Sequence, residues 1–453
     1  MLEIEEILKA TGGKLICGRR NLCIKDFSLD SRTLKKGDGF IAIKGNNFDG
    51  HWFIKKAIKQ EASCIITQIK PEEELVTKAK DFALIEVADT IKALGDIAYY
   101  KRKKFNLPII AISGSNGKTT TKEMIAWILS EKFKVLKNEG TKNNHIGLPQ
   151  ALLSLNADFD LGVLELGTNH FHEIDYLAKI SKANIGIITN IGPTHLEYFG
   201  GLTGVFKEKY DLIKNLENPY LGILNGDDKF LRKVILKKSR RPLTLSFSIE
   251  NKSDFFASKI RFNQGKIEFL LNRKDKFCLN TCGRHNVYNA LAAISVARIF
   301  GLQYKTIIKR LASFEFPAGR LKIKEFNKAI FIDDTYNSNP ASFKQALSTL
   351  ENFKTAGRKI VVMGDMLELG KDKDLLHRNA GRLAAQVADI FIAVGSLSKL
   401  AAEAARLSGI NRIFSCESAL EARDILFNKV LPKDNDVILV KGSRSMKMEG
   451  VFI

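Results

Sequence analysis

Three residues set the first chemical question. Gly117, Lys118 and Thr119 end a phosphate-loop pattern, G-x-x-x-x-G-K-[ST], but Ile112 stands where that pattern begins with glycine. Gly114, Ser115 and Asn116 supply the turn instead, and Thr120 follows. An apolar run, glycines and then a helix start make an anion site, because free backbone N–H groups and the positive helix end face the ligand. Lys118 adds a mobile positive charge for the β- and γ-phosphates, and Thr119 offers a hydroxyl to Mg²⁺. Glu165 ends the run DLGVLELG, and His195 follows ITNIGPT. In an open α/β sheet, ligands gather at the carboxyl ends of the strands, so Glu165, His195 and the loop should converge. Each of the two also suits a purely structural hydrogen bond. Beside a phosphate loop, a carboxylate and an imidazole point to metal ligation. The loop is specific for phosphate and silent on the reaction.

The elements needed to position these groups are readable. LPIIAISG, DLGVLELG, ANIGIITNIG and YLGILNGDD are short β-branched runs ending in glycine-rich or polar turns. That is how parallel strands covered on both faces read. KAIFIDD, RKIVVMGD, ADIFIAVG and NDVILVKG alternate with helical stretches such as ASFKQALSTLENF and LHRNAGRLAAQVA, which predicts a second open sheet. It lacks G-x-G-x-x-G, so no dinucleotide is indicated. Before residue 105, CIKDFSLDSR and DGFIAIKG alternate like strands, and HWFIKKAIKQEA has helical spacing. The chain thus divides into 1–105, 106–317 and 318–453, with linkers near 103–107 and 316–320. No repeat or low-complexity segment interrupts this α/β pattern.

Composition narrows the class. No apolar run approaches the roughly 20 residues needed to span a bilayer, and the acidic, amphipathic start MLEIEEILKA is no secretory signal. Six scattered cysteines lack zinc spacing and read as reduced thiols in a cytoplasmic protein. The net charge is +21, and residues 229–276 hold fourteen Lys/Arg against four Asp/Glu. Such a stretch suits an acidic substrate or a polyanion. Without an aromatic stacking pattern or an RNA-binding signature, it reads first as a solvated lysine-rich face, and no nucleic-acid partner is expected.

Together these motifs resemble the Mur ligase family of ATP-dependent amide-forming enzymes, over nearly the whole chain. SGSNGKTTTKEM is similar to the family's phosphate loop, which omits the first glycine. TKNNHIGLP, with Asn143 and Asn144, resembles an asparagine-rich substrate loop. GRHNVYNALAA resembles the adenine-side segment, with Asn286 as the base contact, and PAGRLK carries Arg320, which would reach the phosphates. DSRTLKKGDGFIAIKGNNFDGHWF, with Ser31 and Arg32, resembles a uridine-nucleotide domain. IDDTYNSNPASF, with Asp334, Asn337 and Asn339, resembles the third domain of the branch that adds D-alanyl-D-alanine, as do VMGDMLELG and KGSRSMKME. The Asn-Pro-Arg motif expected of the neighbouring MurE branch is absent. Ser338 replaces a usual alanine and Asp211 a usual glutamate, neither of which alters the implied chemistry.

The resemblance implies a small α/β UDP-substrate domain, a central phosphate-loop domain with a doubly wound, mainly parallel sheet, and a Rossmann-like third domain. It implies ligation of D-Ala-D-Ala to UDP-MurNAc-tripeptide through an acyl phosphate, in the cytoplasmic stage of peptidoglycan synthesis that underlies cell shape and division. ATP and two Mg²⁺ ions would serve a monomer that does not insert in membranes. Lys118, Glu165, His195 and Lys209 would be catalytic, and Thr119, Glu165, His195 and Lys209 would hold metal. By its own surroundings Lys209 is an ordinary helix-surface lysine. The resemblance makes it a carbamylated one, since it lies fourteen positions after His195. Asp334 would meet the ribose.

Overall fold

The computed structural model describes residues 1–452 apart from 46–47, 71–81, 238–241, 264 and 327–328. Asn46 and Asn47 of the uridine-like motif therefore lie outside the described residues, as do Lys238, Arg240 and Arg241 of the basic stretch. Three larger sheets follow one another along the chain, beside a two-stranded antiparallel pairing of Leu2–Glu3 with Cys23–Ile24. The first has five strands in the order Lys14–Cys17, Ala83–Glu86, Cys64–Thr67, Gly39–Ile41, Phe27–Ser28. All its pairings are parallel except the first. Helices Ile4–Thr11 and Thr90–Lys103 pack with it.

The central sheet has nine strands. Ile109–Ser113 lies between Leu161–Glu165 and Ile185–Ile188, all parallel and all buried. Their β-branched and leucine runs are continuous, because helices cover both faces. Lys118–Leu129 and His285–Ile299 pack on one face, and Glu173–Ser181 and Leu202–Lys214 on the other. Ile112 sits inside the strand, paired with Glu165 and Ile187, which explains the missing first glycine. The turn begins only at Gly114, with φ +144°. A Cβ there would lie 1.9 Å from Thr189 Oγ1, so only glycine fits.

The basic stretch is ordinary folded structure. It forms helix Lys229–Leu236, strand Leu243–Ser248 and an antiparallel meander of Phe255–Asn263, Lys266–Leu271 and Asp275–Leu279. Ala257, Ile267, Phe269, Phe277 and Leu279 alternate inward, while Lys259, Arg261, Lys266 and Lys276 are exposed. Period-two burial with the charges outward is the solvated face anticipated from composition.

The third sheet has six strands in the order Lys322–Phe326, Ala329–Asp334, Val437–Lys441, Lys359–Gly364, Ile390–Val394, Arg412–Cys416. Only the first pairing is antiparallel. The chain passes between sheets at 104–108 and 313–321.

Candidate active site

The carboxyl ends of the central strands open into a polar cavity of about 280 Å³. Lys118, Thr119, Asn143, Glu165 and His195 line it from the central unit, and Arg320, Asp334, Asn337, Asn339 and Lys441 from the third. Asn286 also lines it. The convergence expected of strand-end residues is therefore present.

The loop divides its work. The Ser115 amide donates to the Asn190 carbonyl at 3.0 Å, and the Asn116 amide to Asn190 Oδ1 at 3.0 Å. The amides of Gly117, Lys118, Thr119 and Thr120 find no acceptor among the described residues. They open helix Lys118–Leu129, so four donors and the positive helix end face the cavity. Gly117 has φ +82°, and a Cβ on it would meet Asn289 Oδ1 at 2.4 Å. Lys118 Nζ donates to the Gly114 carbonyl at 2.9 Å, bent across its own loop. Burial and then Arg320 push its amine below the ordinary value, against the pull of Glu165.

Glu165 is almost wholly buried. Asn143 Nδ2 donates to its Oε1 at 2.6 Å, and its Oε2 is buried with no partner. An orphaned carboxylate oxygen costs several kcal/mol in a protein interior unless a cation or donor meets it. Thr119 Oγ1 accepts from the Arg320 guanidinium at 2.9 Å, and that guanidinium lies 4.1 Å over the Tyr336 ring. The Glu165 carboxylate and Thr119 hydroxyl are oxygen donors of the kind a hard divalent cation takes, although the described residues hold no cluster of three His, Cys, Asp or Glu side chains. His195 Nδ1 lies 2.7 Å from Glu368 Oε2 of the third unit, and this contact holds the Glu368 carboxyl below its ordinary value.

Lys209 departs from a surface reading. It is 2 % exposed on helix Leu202–Lys214, and its amine makes no hydrogen bond or ion pair among the described residues. Burial, then the charge of Lys118, lowers it to about 7, with Glu208 opposing. Glu208, its neighbour in sequence, instead accepts from Thr168 Oγ1 and the amides of His172 and Ile174. The charge run Lys207-Glu208-Lys209 suggests solvent, but packing against the strand ends decides otherwise.

Deeper in the third unit, Lys441 Nζ donates to Asp334 Oδ2 at 2.6 Å and to the Asn337 carbonyl at 2.8 Å. Burial raises the Asp334 carboxyl, against the pull of Lys441. Asn339 Nδ2 donates to Asn116 Oδ1 at 2.9 Å, a second bridge onto the phosphate loop. Asn286 shares its amide with Thr281 and Asn289. Asn144 turns away and accepts from the amides of Ile146 and Gly147. Ser31 and Arg32 lie in the first unit, outside this cavity, and Arg32 pairs with Asp30 at 2.7 Å.

Comparison with known proteins agrees with this layout. The Mur ligase middle domain matches residues 112–297, the Mur ligase glutamate ligase domain 319–444, and the Mur ligase family catalytic domain 24–102. The UDP-N-acetylmuramoyl-tripeptide–D-alanyl-D-alanine ligase of Buchnera aphidicola subsp. Baizongia pistaciae is 34% identical, over 99% of this chain and 96% of that protein. The chain belongs to the Mur ligase family. A crystal structure of MurF from Acinetobacter baumannii is similar with a TM-score of 0.89 and 33% identity, over 99% of this chain and 97% of that one. The MurF ligase of Thermotoga maritima, solved in complex with ADP, is similar with a TM-score of 0.83 and 28% identity, over 96% and 97%.

In this Mur ligase, four site residues escape a reading of the sequence. Asn190, Asn289 and Lys441 sit inside motifs already singled out, TNIGPT, GRHNVYNALAA and KGSRSMKME, so a buried amide or amine in a motif was the available signal. Glu368 likewise lies inside VMGDMLELG, but its relation to His195 exists only after two sheets dock.

Proposed function

We propose that this chain joins the amine of D-alanyl-D-alanine to the terminal carboxylate of UDP-N-acetylmuramoyl-tripeptide, converting ATP to ADP and phosphate. One observation carries the reading: unpaired loop amides, the orphan oxygen of Glu165 and the third-unit residues Arg320 and Lys441 all face one cavity. Carboxylates do not react with amines at neutral pH, because their oxygen is a poor leaving group. Phosphorylation makes an acyl phosphate, and the amine displaces phosphate through a tetrahedral intermediate. The amides of residues 117–120 and Lys118 would hold the migrating phosphoryl group, with Arg320 approaching from the opposite wall. Thr119 and Glu165 would hold one Mg²⁺ ion, and His195 and a carbamylated Lys209 a second. Bound there, Mg²⁺ would neutralise phosphate charge.

Lys209 suits carbamylation, because CO₂ requires the neutral amine, and an amine titrating near 7 supplies it at physiological pH. As an ammonium it would repel a cation, whereas as a carbamate it offers carboxylate-like oxygens. The nucleotide base would lie toward a neighbouring pocket lined by Ile249, His285 and Tyr288. Asp334 would meet the ribose, and Asn286 would steady that wall through Asn289. On the other side, a cavity of about 320 Å³ lined by Ser443 and Arg444 would receive the dipeptide carboxylate. Asn143, Asn337 and Asn339 would orient substrate amides. Ser31 and Arg32 would act in the uridine-nucleotide unit, 1–105, ahead of a central unit, 106–317, and a third, 318–453. No helix among the described residues is long and apolar enough to cross a membrane. We read the chain as a cytoplasmic monomer.

The test is ADP release with each substrate omitted in turn. The reading requires both the UDP-linked tripeptide and the dipeptide. Full turnover without either, or with free lysine or glutamate replacing the dipeptide, would refute it.

A further inference from the structure

The contact between His195 and Glu368 crosses from one sheet unit to another, and the structure builds it with care. His195 follows the strand Ile185–Ile188 and has φ +50°. Glu368 has φ +61°, a left-handed backbone that a non-glycine residue adopts only when its surroundings dictate it. Those surroundings are specific. The Asp365 carboxylate accepts from the amides of Leu397 and Ser398 at a helix start. The buried His377 accepts from the Met366 amide through Nε2 at 3.0 Å. Ser443 Oγ accepts from the Leu367 amide at 2.9 Å. These bonds anchor the three residues ahead of Glu368, which reaches out of the third unit to His195. Gly370 then closes against Glu197, two residues beyond His195, where a Cβ would sit 3.5 Å from the Glu197 Cα.

We infer that Glu368 is a positioning residue for His195, setting its ring for the cation only when the third unit is docked. Nδ1 is buried and 2.7 Å from a carboxylate oxygen, although the approach lacks hydrogen-bond alignment. Two lone pairs would repel at that distance, so Nδ1 carries the proton. The Nε2 lone pair is then left to ligate. Ligating histidines commonly give their second ring N–H to a carboxylate, and removing such a partner weakens metal affinity roughly 10–100-fold. Here the carboxylate belongs to the third unit, across the cleft from His195. Cation binding and closure are therefore coupled, and linkage makes the effect reciprocal: closure tightens the cation as much as the cation favours closure.

The inference rests on His195 and Glu165 holding a cation, as proposed above, and the experiment separates the two ideas. The full-length protein is titrated with Mn²⁺ alone, followed by electron paramagnetic resonance, and compaction is followed by small-angle X-ray scattering. Glu368→Ala should bind Mn²⁺ roughly 10-fold or more weakly and lose Mn²⁺-induced compaction. Glu368→Gln, which keeps a neutral oxygen to face Nδ1–H, should lie between. In a His195→Ala background, adding Glu368→Ala should weaken binding no further. The side chain is 53% exposed, so both Glu368 variants should fold. Unchanged affinity in Glu368→Ala would overturn the inference and leave the cation reading standing. Tighter binding would also overturn it, making Glu368 a competitor of the cation. A rise in the dipeptide KM alone, with Mn²⁺ affinity intact, would instead assign Glu368 to the dipeptide ammonium. Wild-type protein that binds no Mn²⁺ would remove both ideas together.

Discussion

Lys209→Met should make the protein more stable and less active at once. Methionine keeps an unbranched chain of similar volume, so the core stays filled. What disappears is a buried amine with no partner. In the folded state it titrates near 7 rather than 10.5. Each pKa unit is about 1.4 kcal/mol, so holding this lysine as an ammonium at low pH costs at most about 5 kcal/mol. Water penetration and local relaxation reduce that, and about 3 kcal/mol is the working expectation.

The sign of the pH dependence follows. Between pH 7 and 10.5 the unfolded lysine binds a proton that the folded one has released. Wild-type stability therefore rises with pH across this window. The advantage of Lys209→Met should be full at and below pH 7 and should fade toward pH 10.5. The assay is urea unfolding in CO₂-free, metal-free buffer at several pH values, since a carbamate would replace the ammonium. Turnover of the same variant should fall on the order of 10²-fold or more, on the scale of losing one strong electrostatic stabiliser. Parallel pH profiles for the two proteins would refute the burial argument, and wild-type turnover would remove Lys209 from the site.

Lys209→Ala leaves room for a small acid, so added formate should restore part of its lost turnover, whereas a lysine outside the site predicts no response. Lys118→Ala should lose roughly 10²-fold in kcat with unchanged folding by circular dichroism, since it removes the charge facing the migrating phosphoryl group. Lys441→Met strips the close cation from a buried Asp334, and urea unfolding at neutral pH should register a loss of about 3 kcal/mol or less. That loss should narrow as the pH falls and the Asp334 carboxyl, already raised by burial, takes a proton. Scattering profiles should show a more compact particle with an ATP analogue and the UDP-linked substrate than without; identical profiles would count against closure.

What the sequence disclosed was what is local in the chain. Strand, glycine turn and helix start are contiguous around Gly114–Thr119, so the phosphate site could be read there. Glu165 and His195 were legible because strand ends share one edge of a parallel sheet. The expected helix surface for Lys209 failed because the run Lys207-Glu208-Lys209 reports only its neighbours in sequence, whereas burial is set by packing across the sheet. The meander from Phe255 to Leu279 was hidden for a similar reason, its lysines masking a clear period-two pattern of buried residues. The tie of Glu368 to His195 was invisible because the two lie in different units.

The two seams between the units differ in chemistry, and that difference tells which one moves. One continuous apolar cluster runs from Leu2, Ile7 and Ile97 of the first unit to Ile109, Leu164 and Leu177 of the central one. Separating those units would expose that apolar surface, at roughly 25 cal/mol per Å². The clusters of the third unit, by contrast, hold only residues from Leu321 onward. Across this second seam run polar contacts: Arg320 to Thr119, Asn339 to Asn116 and Glu368 beside His195. Each is worth about 1 kcal/mol net, because water replaces it when the seam opens. A seam of this kind is cheap to part and geometrically exact when shut. Every group proposed to touch the phosphates from outside the central sheet lies on it, so the reaction site is complete only while the third unit is docked. Left-handed backbone at Gly319 and Leu321, with φ of +71° and +56°, brackets Arg320 where the chain enters the third unit, and we propose the pivot there. A rotation there withdraws the guanidinium from Thr119 and leaves the first seam untouched.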